Sequence, residues 1–299
     1  SPGRSERENM SLEDCHVGII GLGLMGGSLG GALIRNFRGM QVLGWDVEES
    51  ACSEAFERGL ISRAVPPEEL GASSDILVLA VPPRYMESVS RKIRPFVSPK
   101  LKGVFDLGSV KGEPGEKLEE IWGKLYVGLH PMAGKETGGI GRAEPELFRG
   151  ALCFLVPRKN SDSLAKQLGR EMISALGATC SEVSPEEHDF MVAYGSHLPM
   201  LTAAALSLGA GRKSRDLPGL SRAMAGGFKD ATRTASGMPW LGADVLHYNR
   251  RALKAAAKEF IALMEELLES SPEEAENLFR EAGSWRWDFL EEKRTRWTR

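Results

Sequence analysis

Cysteine is scarce in this chain. The four among 299 residues, Cys15, Cys52, Cys153 and Cys180, stand singly, and no two form a CxxC pair. That spacing argues against a paired redox or metal motif, so the expectation is free, mostly buried thiols in a reducing cytoplasm and no metal. An excess of charge is missing too: 38 basic against 41 acidic residues give a net charge of −3. No overall positive field exists to attract nucleic acid or anionic lipid, so neither is expected as a partner, and any anionic ligand must be held by local groups. The first dozen residues, SPGRSERENMSL, lack the basic start and apolar core of a secretory signal. Residues 1–14 read as a loose terminus. Internal repeats and low-complexity tracts are absent as well, and 299 residues exceed what one hydrophobic core usually supports, so two domains are expected.

What is present is an alternation. From Cys15 to about Val183, short β-rich runs (CHVGIIG, MQVLGWD, DILVLAVP, KGVFDLG, LYVGLH, ALCFLVP, ATCSEV) are separated by helical patterns at 25–36, 48–58, 84–93, 113–122 and 161–176. DILVLAVP and ALCFLVP are continuous apolar runs, as expected of strands covered on both faces in a parallel sheet. The expectation is a doubly wound α/β domain over 15–184. After Ser184 the texture changes: Pro185 suits a first helical turn, acidic residues follow, and strand-like runs cease. Residues 185–299 therefore read as an all-helical domain. Its stretch HDFMVAYGSHLPMLTAAALSLGA, interrupted by Pro199, is apolar all round and implies burial in a core or between subunits, hence a homodimer. RRALKAAAKEFIALMEELLES is amphipathic, and the basic tail EKRTRWTR reads as a solvated or mobile end.

One stretch, Val17 to Ile34, runs eighteen residues without a charge, long enough to raise the question of a membrane span. Seven of the eighteen are glycine, and Gly21, Gly23 and Gly26 form GxGxxG between a strand pattern and a helix pattern that includes Leu24 and Met25. The first glycine permits a tight turn, the second lets a pyrophosphate approach the backbone, and the third lets helix and strand pack closely. The helix N-terminus adds its positive dipole. Twenty residues past Gly26, Asp46 ends the second strand, where a carboxylate accepts hydrogen bonds from ribose hydroxyls and repels an additional phosphate. A Rossmann-type NAD site is expected, and a membrane span is not.

Two further loops end strands on the carboxyl edge, where such sheets bind ligands: DLGSVKGE and HPMAGKETGG. The first offers Ser109 and Lys111, which also read as a helix cap and a solvated cation. The second begins with His130, whose side-chain type suits proton transfer near neutral pH. In the helical part, SHLPM contributes His197, and FKDATR contributes Arg233, a group able to grip a carboxylate with two parallel hydrogen bonds or simply to face solvent.

GLGLMGGSL, DLGSVK, HPMAGKE, SHLP and FKDATR, in this order and spacing, closely resemble the prephenate and arogenate dehydrogenases of tyrosine biosynthesis, over nearly the whole chain from Cys15 to about Ser270. The resemblance implies NAD-dependent oxidative decarboxylation of prephenate, or alternatively of arogenate, by a homodimer. It implies that His130 accepts the proton of the substrate's ring hydroxyl and that Ser109 orients His130. It further implies that Arg233 binds a substrate carboxylate, with His197, Glu136 and Lys111 in the same pocket. Met200 departs from the common SHLPH, and the loop from Arg233 to Trp240 is shorter than the family's; both leave the substrate's side chain and any inhibition by tyrosine open. A β-hydroxyacid dehydrogenase would also open with GLGxMG, but its lysine-bearing GxxGxGxxxKxxxN run is not found here.

Overall fold

A computed structural model describes residues 10–135 and 137–297, with side chains as far as Lys293. Eight strands form one sheet: β1 (Val17–Ile20), β2 (Val42–Trp45), β3 (Arg63–Ala64), β4 (Ile76–Leu79), β5 (Gly103–Asp106), β6 (Tyr126–Pro131), β7 (Leu152–Pro157) and β8 (Thr179–Glu182). Their order is β3-β2-β1-β4-β5-β6-β7-β8. Six helices connect them: α1 (Leu24–Asn36), α2 (Glu49–Glu57), α3 (Pro67–Ser73), α4 (Pro83–Ile93), α5 (Glu113–Trp122) and α6 (Ser163–Ala175). Strand residues alternate between two cores, as the two-residue side-chain period requires. Val17 and Ile19 join α1 and α6 in one core, while Ile20, Leu77 and Leu79 join α3, α4 and α5 in the other. The fold is therefore the expected doubly wound α/β domain followed by helices.

The stretch Val17–Ile34 resolves into β1, a glycine turn and most of α1. Its want of charge reflects burial: every β1 residue is buried, and so are nine positions of α1.

Three expectations need correction. The apolar run ALCFLVP becomes β7, but it pairs antiparallel with β6, because continuous hydrophobicity reports two covered faces and not strand direction. The start of the chain is tied down earlier than expected: Leu12 is fully buried in the first core, and its N–H donates to Glu171 Oε2 at 2.7 Å. Of the four free cysteines, Cys15 and Cys153 are buried, but Cys180 on the edge strand β8 is exposed. The basic tail is helical to Trp297, and its described side chains, Glu292 and Lys293, are exposed, in keeping with a solvated end.

Beyond the sheet lie α7 (Pro185–Val192), α8 (Leu198–Lys213), α9 (Leu220–Ala223), α10 (Gly226–Thr232), α11 (Pro239–Tyr248), α12 (Arg250–Glu269) and α13 (Pro272–Trp297). Ser184 and Glu187 close a capping box at the start of α7, and Pro185 takes its first turn. Between α7 and α8, residues Ala193–His197 form a single π turn, in which Leu198 N–H reaches back five residues to Ala193 O. The wider turn lets helix continue past Pro199, whose ring and missing N–H would disrupt a regular one. Pro185–Lys213 is, among the described residues, the one helical run long and apolar enough to cross a membrane, by length and composition. Burial in a core or between subunits is the expectation, and within this single chain only 28% of the run's most apolar eighteen residues are buried.

The chain divides into two compact units, one ending at Arg250 and one beginning at Arg251. Within the first, Arg84 Nε at the start of α4 donates to Asp244 Oδ1 on α11 at 2.6 Å, which fastens helical segment to sheet domain.

Candidate active site

The carboxyl ends of β1, β2, β5 and β6 face the same way, because these strands are parallel through β4. Strand order reverses between β1 and β4, with β2 and β3 added on one side and β5 and β6 on the other, so a crevice opens there, where doubly wound sheets hold ligands. Gly21 turns out of β1 at φ +96°, in the left-handed region that glycine tolerates. Gly23 caps α1 without a side chain, and nothing lies within 4 Å of where its Cβ would stand. Backbone N–H groups of the first turn are thus left to an incoming anion, over open space and with no acidic side chain in that turn. Leu24 and Met25 open α1, and a Cβ on Gly26 would run into Gly21 O and stand 3.0 Å from Ala80 Cβ. Asp46 does two jobs at once: Oδ2 accepts from Leu22 N–H at 2.7 Å, holding the glycine turn, and Oδ1 accepts from Glu48 N–H at 2.9 Å. Each oxygen keeps a further acceptor direction. These residues fit a dinucleotide.

Accordingly, Gly26→Ala is expected to cost about 1–3 kcal/mol of stability, the range for overpacking a close contact. Binding of NAD should weaken alongside, as measured by fluorescence titration. Wild-type affinity in this variant would place the phosphates elsewhere.

At the far side of the crevice, His130 is the last residue but one of β6 and is buried. Its Nδ1 lies 2.7 Å from His188 Nε2, and His188 Nδ1 lies 2.8 Å from Asp189 Oδ1. Asp189 also accepts the backbone N–H groups of Lys111 and Gly112, each at 2.8 Å, which ties α7 to the loop after β5. Asn249 Nδ2 donates to the Asp189 carbonyl at 2.9 Å and lies 3.0 Å from His197 Nδ1. Because that carbonyl can only accept, the Asn249 group facing it is the NH₂. His197 Nδ1 is therefore an acceptor, and its Nε2 carries the proton.

Two buried side-chain polar atoms have no hydrogen-bond partner among the described residues: Ser109 Oγ and His197 Nε2. Buried polar atoms are ordinarily paired, so two unpaired donors, one in the DLGSVK loop and one in the π turn, mark where a ligand belongs. The structure alters one expectation about Ser109. The imidazole of His130 is held by His188, and Ser109 bonds to neither ring.

Lys111 also departs from expectation. It faces neither solvent nor an open pocket: its ammonium is fully buried, 2.5 Å from Asp106 Oδ2. Asp106 further accepts Tyr126 OH at 2.8 Å and Gly108 N–H at 2.8 Å, so it fixes the turn that carries Ser109. Burial pulls the Lys111 ammonium below the ordinary lysine range, and Asp106 works against that pull. Arg233 stands exposed at the start of the turn Arg233–Ser236, which packs against α8, the helix that follows His197. Glu136 lies outside the described residues. His188, Asp189 and Asn249 are not among the residues singled out from sequence.

Two family models match, the nucleotide-binding domain of prephenate dehydrogenase over residues 29–182 and its dimerization domain over 184–282. The chain belongs to the prephenate dehydrogenase family. The prephenate dehydrogenase of Bacillus subtilis is 29% identical over 267 residues, covering 88% of this chain and 72% of that protein. Solved structures are similar over most of the chain as well. Synechocystis arogenate dehydrogenase has a TM-score of 0.79 at 31% identity, covering 92% of this chain and 99% of that one. Aquifex aeolicus prephenate dehydrogenase, solved with hydroxyphenyl propionate and NAD+, has a TM-score of 0.80 at 29% identity, with coverage of 97% and 98%.

The site's histidines also set how stability depends on pH. Burial holds His130 well below the ordinary 6.5, with His188, Lys111 and His197 adding to the effect. Burial lowers His188 in spite of Asp189, and lowers His197 to about 4. Below pH ~6.5 the unfolded chain takes up protons that these rings refuse, so stability is level above that pH and falls beneath it. The loss continues toward pH 4 for His197. Each ring contributes up to about 1.4 kcal/mol per pH unit, so urea midpoints at about pH 7.5 and about pH 5.5 should differ clearly.

Proposed function

We propose that this protein oxidatively decarboxylates prephenate to 4-hydroxyphenylpyruvate with NAD, in tyrosine biosynthesis. The observation that carries this reading is a buried histidine beside the end of β6, His130, held below its ordinary pKa by burial, in a chain that also leaves two buried donors, Ser109 Oγ and His197 Nε2–H, without partners among the described residues. Bound NAD supplies a hydride acceptor. His130 Nε2 takes the proton of the ring hydroxyl, while Ser109 and His197 donate to substrate oxygens. Arg233 grips a carboxylate from the helical side. Loss of hydride from the carbon bearing the hydroxyl draws out the electron pair of the bond to the ring carboxylate. Carbon dioxide departs, the imidazolium of His130 returns its proton to the phenolate oxygen, and aromatisation drives the step forward.

The glycine turn holds the pyrophosphate, and Asp46 favours NAD over NADP by repelling an added phosphate. Glu136, which the family resemblance assigns to the same pocket, is a candidate substrate contact. We place the domain boundary at Ser184, where the two family models meet. The exposed apolar face of α7 and α8, within a region matching a dimerization domain, supports a homodimer. Four free thiols support a cytoplasmic setting.

Arogenate is the alternative substrate, favoured by the similarity to the Synechocystis enzyme and left open by Met200 in SHLPM. Production of NADH from prephenate and from arogenate, measured side by side and again with NADP, decides among these. The expected outcome is NADH formation with prephenate; activity on neither substrate, with tight NAD binding, would overturn the reading in favour of a non-catalytic sensor.

A further inference from the structure

We infer that His188 and Asp189 form a positioning relay behind His130: Asp189 sets the tautomer of His188, and His188 sets the tautomer of His130. The inference rests on the reading of His130 as the proton acceptor. Three elements meet in it, β6 through His130, α7 through His188 and Asp189, and the loop after β5 through Lys111 and Gly112.

The proton positions follow from the donors. Asp189 receives two backbone N–H groups at 2.8 Å and is therefore a carboxylate that can only accept. His188 Nδ1, 2.8 Å from Asp189 Oδ1, must carry the proton. In a neutral ring the remaining nitrogen then holds a lone pair, so His188 Nε2 accepts from His130 Nδ1–H across 2.7 Å. His130 Nε2 is left unprotonated, as a base requires. Without His188 the other tautomer of His130, with its proton on Nε2, would be open and inactive.

The relay is also held mechanically. The ring of His188 meets Phe154 edge-on at 5.2 Å, with an interplanar angle of 89°. A Cβ on Gly112 would stand 2.8 Å from Asp189 Oδ2, so glycine is what lets this loop come so close to the carboxylate. When His130 becomes an imidazolium, its charge points through His188 toward Asp189, a stabilisation realised only as the proton transfers. His188 is thus a positioning residue.

The test uses the full chain, labelled with ¹⁵N-histidine, and its two-bond ¹⁵N–¹H spectra. The chain has five histidines, and the signals of His130 are identified by their loss in His130→Asn. The wild-type spectrum should show His130 with its proton on Nδ1. His188→Leu removes the acceptor and should shift His130 toward the Nε2–H form, with turnover falling about 10- to 10²-fold at unchanged KM, the range for losing a partner that orients a functional histidine. His188→Gln restores an acceptor and should recover the tautomer and most of the turnover. An Nε2–H tautomer in the wild type, or one unchanged in His188→Leu, overturns the relay, and the wild-type spectrum decides even if that variant fails to fold. Failure of the wild type to oxidise either substrate would remove the function while leaving the spectra to judge the relay.

Discussion

His130→Asn should lower turnover by about 10²- to 10⁴-fold while NAD binding is retained. An amide has the polarity of the imidazole but cannot take a proton near neutral pH, so the substitution removes general-base assistance and little else. The nucleotide-holding groups sit on the other side of the crevice, in the turn after β1 and at the end of β2, and share no hydrogen bond with His130. The wild-type pH profile should carry the same signature. Because burial holds His130 well below 6.5, its basic form persists as pH falls past that value, and the acidic limb of kcat/KM should lie below pH ~6.5. Turnover unchanged in His130→Asn would sink the assignment of this residue, whatever the substrate.

Much of the fold was legible because burial leaves a direct trace in composition. Helix α5 begins and ends where the pattern at 113–122 does, and β4 and β7 lie inside runs whose apolar continuity signals two covered faces. What escaped has physical reasons. Strand β3 has two residues, both exposed, and α3 has seven, too few for a period to show. The direction of β7 depends on how residues 132–151 route the chain, which local hydrophobicity does not encode.

The site divides similarly. Gly21, Gly26, Ser109, His130 and His197 stand in motifs whose spacing has a mechanical meaning, and the structure puts them at strand ends, in the glycine turn or beside the π turn. His188 and Asp189 follow Pro185, Glu186 and Glu187, so they look like the solvated first turn of a helix. Their signal was weak but present: His188 and Val192, four residues apart, fall on one helix face and are both buried. Asn249 reads as an ordinary helix-ending residue, and nothing local announces that it spans Asp189 and His197.

Lys111→Met should cost about 3–5 kcal/mol of stability, because removing one member of a buried ion pair strands the other. Both side chains are only 1% exposed, and Asp106, which also accepts from Tyr126 OH and Gly108 N–H, would be left buried without its partner cation. Set against the 5–15 kcal/mol typical of a whole domain, that loss is large. The double variant Asp106→Asn with Lys111→Met removes both charges and should lose much less than the sum of the single variants, a coupling that urea titrations of all four proteins measure directly. The motif DLGSVK makes Lys111 look like a ligand contact, and that alternative predicts the opposite pattern: stability within about 1 kcal/mol of wild type, as for an ordinary surface change, and a raised KM. A destabilised Lys111→Met whose remaining folded fraction keeps a near-normal KM assigns the lysine to the scaffold, where its pairing with Asp106 holds the turn that presents Ser109.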